Sequence, residues 1–314
     1  MGRARGANAK LAGAFETTYG TVPGSGFLPL PFVSSTMGPE VGLIEDDLLG
    51  NGRENRDPTR DVTINDGNIV VPVDLRYFGH WLKLLLGAPT TTGAGDPYTH
   101  AFASGATGLP SMSVETQLPD VPSFEMNYGL KANRLQISMQ RSGLLNATIE
   151  CIAKGANERA SSTGAGSLAT ALAVSRFRQA TGEISRDGTR LGSITSAQIA
   201  FTNNLDKVET IQPDGEIEDA DGAKAMVSGN LTARYDSLAL YTAAKNGTPV
   251  DLSFKWALGA SHSLELVVPR AFLPMKKTPI EGPAGIQSST DFMGSGEGTN
   301  CFEATLINDV ASYS

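Results

Sequence analysis

Short runs in which apolar and polar residues alternate recur along most of this chain of 314 residues. Glycine (35 residues) and proline (17 residues) are frequent, and they supply the backbone angles that turns between such runs require. Leu135, Ile137 and Met139 alternate with polar neighbours in 130–140, and a similar run at 144–153 follows a short turn. Period-two alternation is typical of half-buried strands. The pattern predicts a mainly β chain in which 130–153 forms an antiparallel hairpin.

Two segments follow the helical period instead. After a strand-like run at 68–74, Phe78, Leu82 and Leu85 recur at helical spacing in 76–86, and Gly87 follows as a stop signal. A second helix is predicted at 235–245. Each predicted helix follows a strand-like run.

The composition excludes several classes of protein. The chain has 25 lysines and arginines against 33 aspartates and glutamates, a net charge of −8, which argues against a basic nucleic-acid-binding surface. No run approaches the roughly 18 apolar residues of a membrane-spanning helix, and no secretory signal is visible. We therefore expect no membrane partner and synthesis in the cytoplasm. Cys151 and Cys301 are too few for a disulfide framework and are expected to be buried thiols.

The chain divides by composition into four parts. Residues 1–27 are small, polar and rich in glycine and proline, and are expected to form an N-terminal arm that is ordered only against a neighbouring subunit. Residues 28–155 and 173–314 contain the predicted strands and helices. The segment between them, 156–172, is rich in alanine, glycine, serine and threonine and is predicted to be a linker.

The two larger parts share an ordered similarity. Arg76 and Tyr77 begin the first predicted helix, and Arg234 and Tyr235 begin the second, 158 residues later. Each helix is preceded by a strand, a long charged loop and a second strand. We interpret this as an internal duplication, in which these four residues orient the helices.

No motif indicates a reaction. The three histidines lie on separate elements without the spacing of a metalloprotease, no nucleophile elbow occurs, and the glycines at 164–166 lack the preceding strand of a dinucleotide site. We predict no catalytic, cofactor-binding or metal-binding residue, no cofactor and no enzymatic activity. Trp81 and Trp256 leave open a carbohydrate-binding β-sandwich module, and an unrecognised hydrolase is a further alternative that would need a cleft of titratable groups.

Four segments carry a family resemblance: 71–89 (VPVDLRYFGHWLKLLLGAP), 140–148 (QRSGLLNAT), 201–211 with 214–215, and 244–249 (AKNGTP). With the order of the elements over about 28–310, they make the chain resemble the tail tube proteins of bacteriophages with long, non-contractile tails. The resemblance implies two tail-tube-like units, each of two packed antiparallel sheets with one flanking α-helix and a long loop that reaches the next ring.

The resemblance also implies a function and a set of partners. Tail tube proteins form rings that stack into the conduit for genome delivery. A doubled chain would build a pseudo-sixfold ring from three copies, which we favour over a hexamer, and about four strands per unit give a barrel of roughly 24 strands. The implied partners are the chain itself, the tail terminator and distal tail proteins, the tape measure protein, and then phage DNA in the lumen without sequence-specific binding. The implied location is the virion tail, assembled in the bacterial host cytoplasm.

Charged loops are the candidates for contacts between rings. The first is mixed in charge and the second is acidic, so that arginines of one ring are expected to meet carboxylates of the next. The candidates are Arg53, Glu54, Arg56, Asp57 and Arg60 in the first loop, and Asp214, Glu216, Glu218 and Asp219 in the second. We also expect acidic residues to outnumber basic ones on the lumen side of hairpins such as 130–151, because such a wall does not bind DNA phosphates.

Overall fold

Strands account for 46% of the chain and helices for 7%. The structure is a computed structural model that describes residues 2–50, 52–235, 238–280 and 282–313. The elements of the first half are β1 (Lys10–Phe15), β2 (Leu28–Pro29), β3 (Ser34–Ser35), β4 (Glu40–Ile44), β5 (Thr59–Ile64), β6 (Asp66–Pro72), α1 (Phe78–Leu86), β7 (Thr90–Thr92), β8 (Tyr98–Ala103), β9 (Met112–Leu118), β10 (Ser123–Gln140), β11 (Asn146–Ile152) and β12 (Gly155–Ala156). Those of the second half are β13 (Gly182–Arg186), β14 (Thr189–Arg190), β15 (Ile194–Thr202), β16 (Asp206–Val208), β17 (Asp219–Asp221), β18 (Met226–Arg234), α2 (Ala239–Asn246), β19 (Val250–Leu258), β20 (His262–Phe272), β21 (Gln287–Gly294) and β22 (Glu303–Asn308).

One antiparallel sheet runs through both halves of the chain, in the order β3-β6-β11-β10-β15-β18-β21. A second sheet has the order β14-β13-β19-β20-β22-β8-β7. The N-terminal part of β10 bends away from the first sheet to pair with β9, which pairs with β1. The predicted hairpin at 130–153 is confirmed by the β10–β11 pairing. Two further hairpins, β4–β5 and β16–β17, form small sheets of their own.

The two halves pair their strands in the same way. In the first half β1 pairs with β2 and β9, β10 with β9, β11 and β12, and β6 with β3 and β11. In the second half β13 pairs with β14 and β19, β20 with β19, β21 and β22, and β18 with β15 and β21. Even the register shift recurs, between Asn127 and Leu130 of β10 and between Val268 and Ala271 of β20. Among the described residues, only the hairpin β7–β8 lacks a counterpart.

A glycine occupies corresponding places in β6 and β18. Gly67 is opposite Cys151 of β11, and Gly229 is opposite Phe292 of β21. A Cβ atom on Gly67 would lie 2.7 Å from the backbone oxygen of Thr36, and one on Gly229 would lie 2.0 Å from that of Gln198. In both places the neighbouring backbone comes too close for any side chain.

The larger hydrophobic core connects the halves and reaches from Leu11 to Tyr313, and a smaller cluster contains Ala12, Ala14, Phe27, Met126 and Ala165. Helix α1 lies inside the larger core, with Phe78, Trp81, Leu82 and most of its other residues buried. The first helix is therefore found close to where the sequence predicts it, with most of its residues buried in the core. None of the described residues of α2 is buried, so the second helix does lie on the surface.

The expectation for the N-terminal arm is wrong in one respect. Strand β1 pairs along its whole length with β9 of the same chain, and Leu11, Ala12 and Ala14 are buried. Gly13 leaves room for the side chain of Leu30, which lies 2.5 Å from where a Cβ atom would stand. These small residues form a close-packed strand without a neighbouring subunit, and their size hid the strand from a reading based on large apolar residues.

The start of α1 depends on a buried carboxylate. Asp74 is fully buried and accepts hydrogen bonds from the backbone N–H groups of Arg76, Tyr77 and Phe78 at 3.2, 3.1 and 3.0 Å. Replacing Asp74 by alanine leaves these donors unpaired, and we expect the free energy of unfolding to fall by about 2 kcal/mol. Urea titration of the unassembled protein measures the loss. Asp74→Asn keeps one acceptor and should lose less; equal losses for the two variants would contradict a capping role.

His80 makes the fold sensitive to acid. Its imidazole packs edge-on against Tyr313 with the ring centroids 4.9 Å apart, and burial, with a smaller contribution from Lys83, lowers its pKa to about 4. The unfolded chain takes up this proton below about pH 6.5, whereas the folded chain does not do so until about pH 4. Stability should therefore fall by up to about 3 kcal/mol as the pH is lowered through this window. In His80→Phe the decrease in the free energy of unfolding between pH 7 and pH 4.5, measured by urea titration, should be smaller by that amount. An equal decrease in the wild type and the variant would contradict this role of His80.

Candidate assembly surfaces

The β4–β5 hairpin extends its apolar side chains into solvent. Leu43 is 67% exposed and Leu49 is 94% exposed. The exposed apolar residues of this hairpin are Val41, Leu43, Ile44, Leu48, Leu49, Val62 and Ile64. A cluster of this kind on a soluble protein marks a contact surface. The sequence analysis selected this segment for its charges and missed its apolar residues, although Val41-Gly-Leu-Ile44 was visible as a short apolar run.

The charged candidates of the first loop lie on the same hairpin. Arg53, Glu54, Arg56 and Asp57 lie in the connection between β4 and β5, and Arg60 lies on β5. All five are exposed. The structure therefore brings the charged and apolar candidates together on one projection.

The acidic candidates of the second loop have a different environment. Glu216 accepts a hydrogen bond of 2.5 Å from the Tyr128 hydroxyl, and Asp219 pairs with Lys131 at 2.6 Å. Burial, followed by the hydrogen bond to Glu216, raises the pKa of Tyr128 above its usual value. Glu216 and Asp219 therefore fasten the β16–β17 hairpin to β10 of their own chain, and their role in a contact between rings stays a prediction. Asp214 and Glu218 are exposed.

The two charged hairpins are neighbours within one chain. The backbone N–H of Thr63 donates to the carbonyl of Gly215 at 3.2 Å, and Lys207 of β16 pairs with Asp66 at the start of β6. The base of the first hairpin thus already contacts the connecting loop of the second. The outer part of β4–β5 remains exposed.

The side of the first sheet that faces away from the core is polar, and its two basic and two acidic residues balance. We call it the polar face. It consists of Asn68 and Val70 (β6), Asn146, Thr148 and Glu150 (β11), Arg134, Gln136, Ser138 and Gln140 (β10), Ser196, Gln198, Ala200 and Thr202 (β15), Ser228, Asn230, Thr232 and Arg234 (β18), and Gln287, Ser289, Asp291 and Met293 (β21). Serine, threonine, asparagine and glutamine predominate. In the hairpin 130–151, Arg134 is opposite Glu150, so the acidic excess expected there is replaced by a balanced pair.

The four residues assigned to helix orientation do not have equivalent environments. Arg76 forms an ion pair of 2.6 Å with Asp309, whose pKa it lowers, and donates to the carbonyl of Ala173 at 2.6 Å. The buried Tyr77 hydrogen-bonds the backbone of Leu172 through its hydroxyl. Arg234 and Tyr235 are exposed.

The strand register explains the difference between the two pairs. Arg234 is opposite Gln287, as Pro72 is opposite Asn146, so the counterpart of Arg234 in the first half is Pro72 and not Arg76. Corresponding residues of β6 and β18 are 162 positions apart, four more than the spacing that sequence matching selected.

The two tryptophans do not form a carbohydrate platform. Trp81 is 1% exposed and Trp256 is fully buried, both in the common core. This contradicts the surface role on which the carbohydrate-binding alternative depended. Cys151 and Cys301 are buried thiols, and burial raises the pKa of Cys151. The described residues contain no cluster of three or more potential metal ligands, and neither described helix is long and apolar enough to cross a membrane.

These features define a mainly β protein with a projecting apolar hairpin, a polar sheet face and a sheet that spans both halves of the chain. Comparison with protein families gives the particular class: the family of phage tail tube proteins matches residues 6–294. The chain belongs to this family, and is accordingly a structural protein of the virion tail.

Other comparisons add little. No curated protein sequence matches the chain. A solved structure found by comparison is that of the toluene transporter TodX from Pseudomonas putida, with 10% identity over 96% of this chain and 87% of that one. Its TM-score of 0.10 gives no basis for comparing fold or function.

Proposed function

We propose that three copies of this chain form a pseudo-sixfold ring, and that rings stack into the tube through which the phage genome leaves the virion. The observation that carries the proposal is the β10–β15 pairing, which joins two halves of matching strand connectivity within one sheet over Arg134–Gln140. If the second half of each copy joins the first half of the next in the same way, the sheet closes after a whole number of copies. Closure also removes the exposed edges of the sheet.

The matching halves support an internal duplication. The pairings correspond strand by strand, and the close-packed glycines Gly67 and Gly229 recur at corresponding positions. The hairpin β7–β8 accounts for the greater length between helix and following strand in the first half. In this proposal the first tube-like unit consists of residues 28–155 together with β1, the second consists of residues 173–314, and 156–172 connects them.

The polar face is the proposed wall of the lumen. It is short in lysine and arginine, so few counterions are released when DNA approaches, and non-specific binding is correspondingly weak. Hydroxyl and amide side chains keep the wall hydrated without adding a field of either sign. DNA and, before it, the tape measure protein are thus expected to slide past and not to bind.

The β4–β5 hairpin is the proposed contact between stacked rings. Its exposed leucines, valines and isoleucines supply apolar area, and Arg53, Glu54, Arg56, Asp57 and Arg60 supply charge at its tip and edge. Asp214 and Glu218 remain candidates for the opposite side of this contact. At its ends the tube would meet the tail terminator and distal tail proteins, and assembly would take place in the host cytoplasm.

Electron microscopy with native mass measurement over a range of concentration tests the proposal. We expect hollow rings of three chains at intermediate concentration and tubes at high concentration. Rings of six chains would support the tube function but contradict a ring of three copies. A protein that stays monomeric at high concentration would contradict the tube function.

A further inference from the structure

We propose that residues 275–278 form the strand that joins each chain to the next, pairing antiparallel with residues 37–40 of a second copy so that Met275 is opposite Glu40. This inference rests on the proposed function, because it identifies the surface through which the ring closes. It is derived from a junction that the chain already forms inside itself.

The internal junction is the C-terminal part of β10. Beyond Lys131 this strand lies between β11 and β15, and Arg134 is opposite Glu150 on one side and Thr202 on the other. The strand thereby connects the sheet of the first half to that of the second.

Strand β20 is the counterpart of β10, but it is shorter and does not connect one sheet to another in this way. The shared register shift places each β20 residue 141 positions after its counterpart in β10. The strand pairs agree with this offset, because Phe272 is opposite Met293 in the second half and Lys131 is opposite Ile152 in the first. However, β20 ends at Phe272, where β10 continues to Gln140. The counterpart of that continuation, 273–280, is described without a strand.

The segment 273–280 is already close to the position that a strand would take. Lys276 forms an ion pair with Asp291 of β21, and Lys276, Lys277 and Thr278 line a cavity of about 270 Å³ together with 288–290 of β21. Its outward residues have no partner surface: Met275 is 60% exposed and Ile280 is 76% exposed. A neighbouring strand on the far side would complete the arrangement seen around β10.

The matching acceptor is the segment 37–40, which continues from strand β3 and ends at Glu40, the first residue of β4, whose other edge pairs with Ile64 of β5. Strand β3 pairs with β6 in the same way as β15 pairs with β18. Ser34 is opposite Val70, and the residues 162 positions later, Ser196 and Thr232, are also opposite each other. Strand β15 pairs with β18 along one edge and with β10 along the other. Strand β3 pairs with β6 along the first of these edges, and within the described chain no strand pairs with its other edge. Thr36, Pro39 and Glu40 along this edge are exposed.

The register of the new junction follows from the two shifts. The counterpart of Arg134 is Met275 and the counterpart of Thr202 is Glu40, so the Arg134–Thr202 pair becomes Met275 opposite Glu40. Lys277 then lies on the same face of the sheet as the Glu40 carboxylate and diagonal to it, which favours this register electrostatically. Pro274 and Pro279 limit the paired stretch because proline has no N–H to donate, and for the same reason Pro39 within the acceptor can contribute only its carbonyl.

Disulfide cross-linking tests the junction at the level of single residues. The natural cysteines are buried, so a Met275→Cys, Glu40→Cys double variant introduces the only accessible thiols among the described residues. Directly opposed Cα atoms in an antiparallel pair are about 4.5–5.5 Å apart, within the range that a disulfide spans. Mild oxidation of assembled protein should give covalent dimers and trimers on non-reducing gels.

A variant displaced by one residue is the matched control. In Lys276→Cys, Glu40→Cys the two side chains point to opposite faces of the sheet, and we expect the rate of cross-linking to be at least tenfold lower. Lys277→Cys with Gly38→Cys is a second opposed pair, which serves if the first variant does not fold. Both opposed pairs should link chains, and neither should link below the concentration at which rings form.

The outcomes separate the junction from the proposed function. If rings are seen by microscopy but the opposed cysteine pairs do not cross-link, or cross-link no faster than the displaced control, the proposed junction is wrong and the proposed tube function is unaffected. Wild-type protein that forms no ring overturns the function and the junction with it.

Discussion

Replacing Gly229 by alanine is expected to lower the free energy of unfolding by at least about 3 kcal/mol, or to abolish soluble expression. The new methyl carbon would stand 2.0 Å from the carbonyl oxygen of Gln198 and 2.5 Å from the ring of Phe292. The first of these atoms is backbone in a central strand that is paired on both sides, with β10 and β18. It cannot move without breaking the sheet that joins the two halves.

Two other glycines make the expectation specific. Gly67→Ala faces the backbone oxygen of Thr36 at 2.7 Å, but Thr36 directly follows the two-residue edge strand β3, and this edge can shift, so we expect a loss of about 1–2 kcal/mol. Gly192→Ala meets no atom within 4 Å and should be close to neutral. Urea titration of the three unassembled variants gives the order; a Gly229→Ala protein as stable as Gly192→Ala would show that the sheet accepts the added carbon.

Removing the apolar residues of the β4–β5 hairpin is expected to stop tube formation while leaving the monomer intact. The triple variant Leu43→Thr, Val62→Thr, Ile64→Thr replaces side chains that are 67%, 55% and 52% exposed, so little stability of the single chain is lost. Burying such side chains in a contact yields about 1.5–3 kcal/mol each. Losing three of them should raise the concentration needed for tubes more than about a hundredfold.

Sedimentation and electron microscopy measure this change. Leu172→Thr, 44% exposed and outside the hairpin, is the control, and it should assemble as the wild type does. If rings persist in the triple variant and only stacking is lost, the hairpin acts between rings, as proposed. If the triple variant forms tubes at the same concentration as the wild type, the hairpin does not take part in the contact between rings.

The candidate surfaces show what each level of description contributes. The charged loops could be selected from sequence because runs of charge cannot enter a core, but their contacts could not. Glu216 and Asp219 read as solvated carboxylates, and only the fold brings Tyr128 and Lys131 to them from a strand about 88 residues earlier. The polar face was equally hidden, because it is formed by alternate residues of strands that are distant in the sequence.

The sequence by itself determined the local structure and the family: alternation predicted the strands, helical spacing predicted α1, and the quoted segments pointed to a tail tube protein. These signals depend on neighbours in the chain, where side-chain period and turn chemistry act directly. Only the tertiary structure decided that α1 is buried, that β1 belongs to the sheet, and that Arg234 corresponds to Pro72. Those outcomes depend on which strands pair and in which register, and a shift of a few residues, invisible in a sequence match, changes the partner of every side chain in the strand.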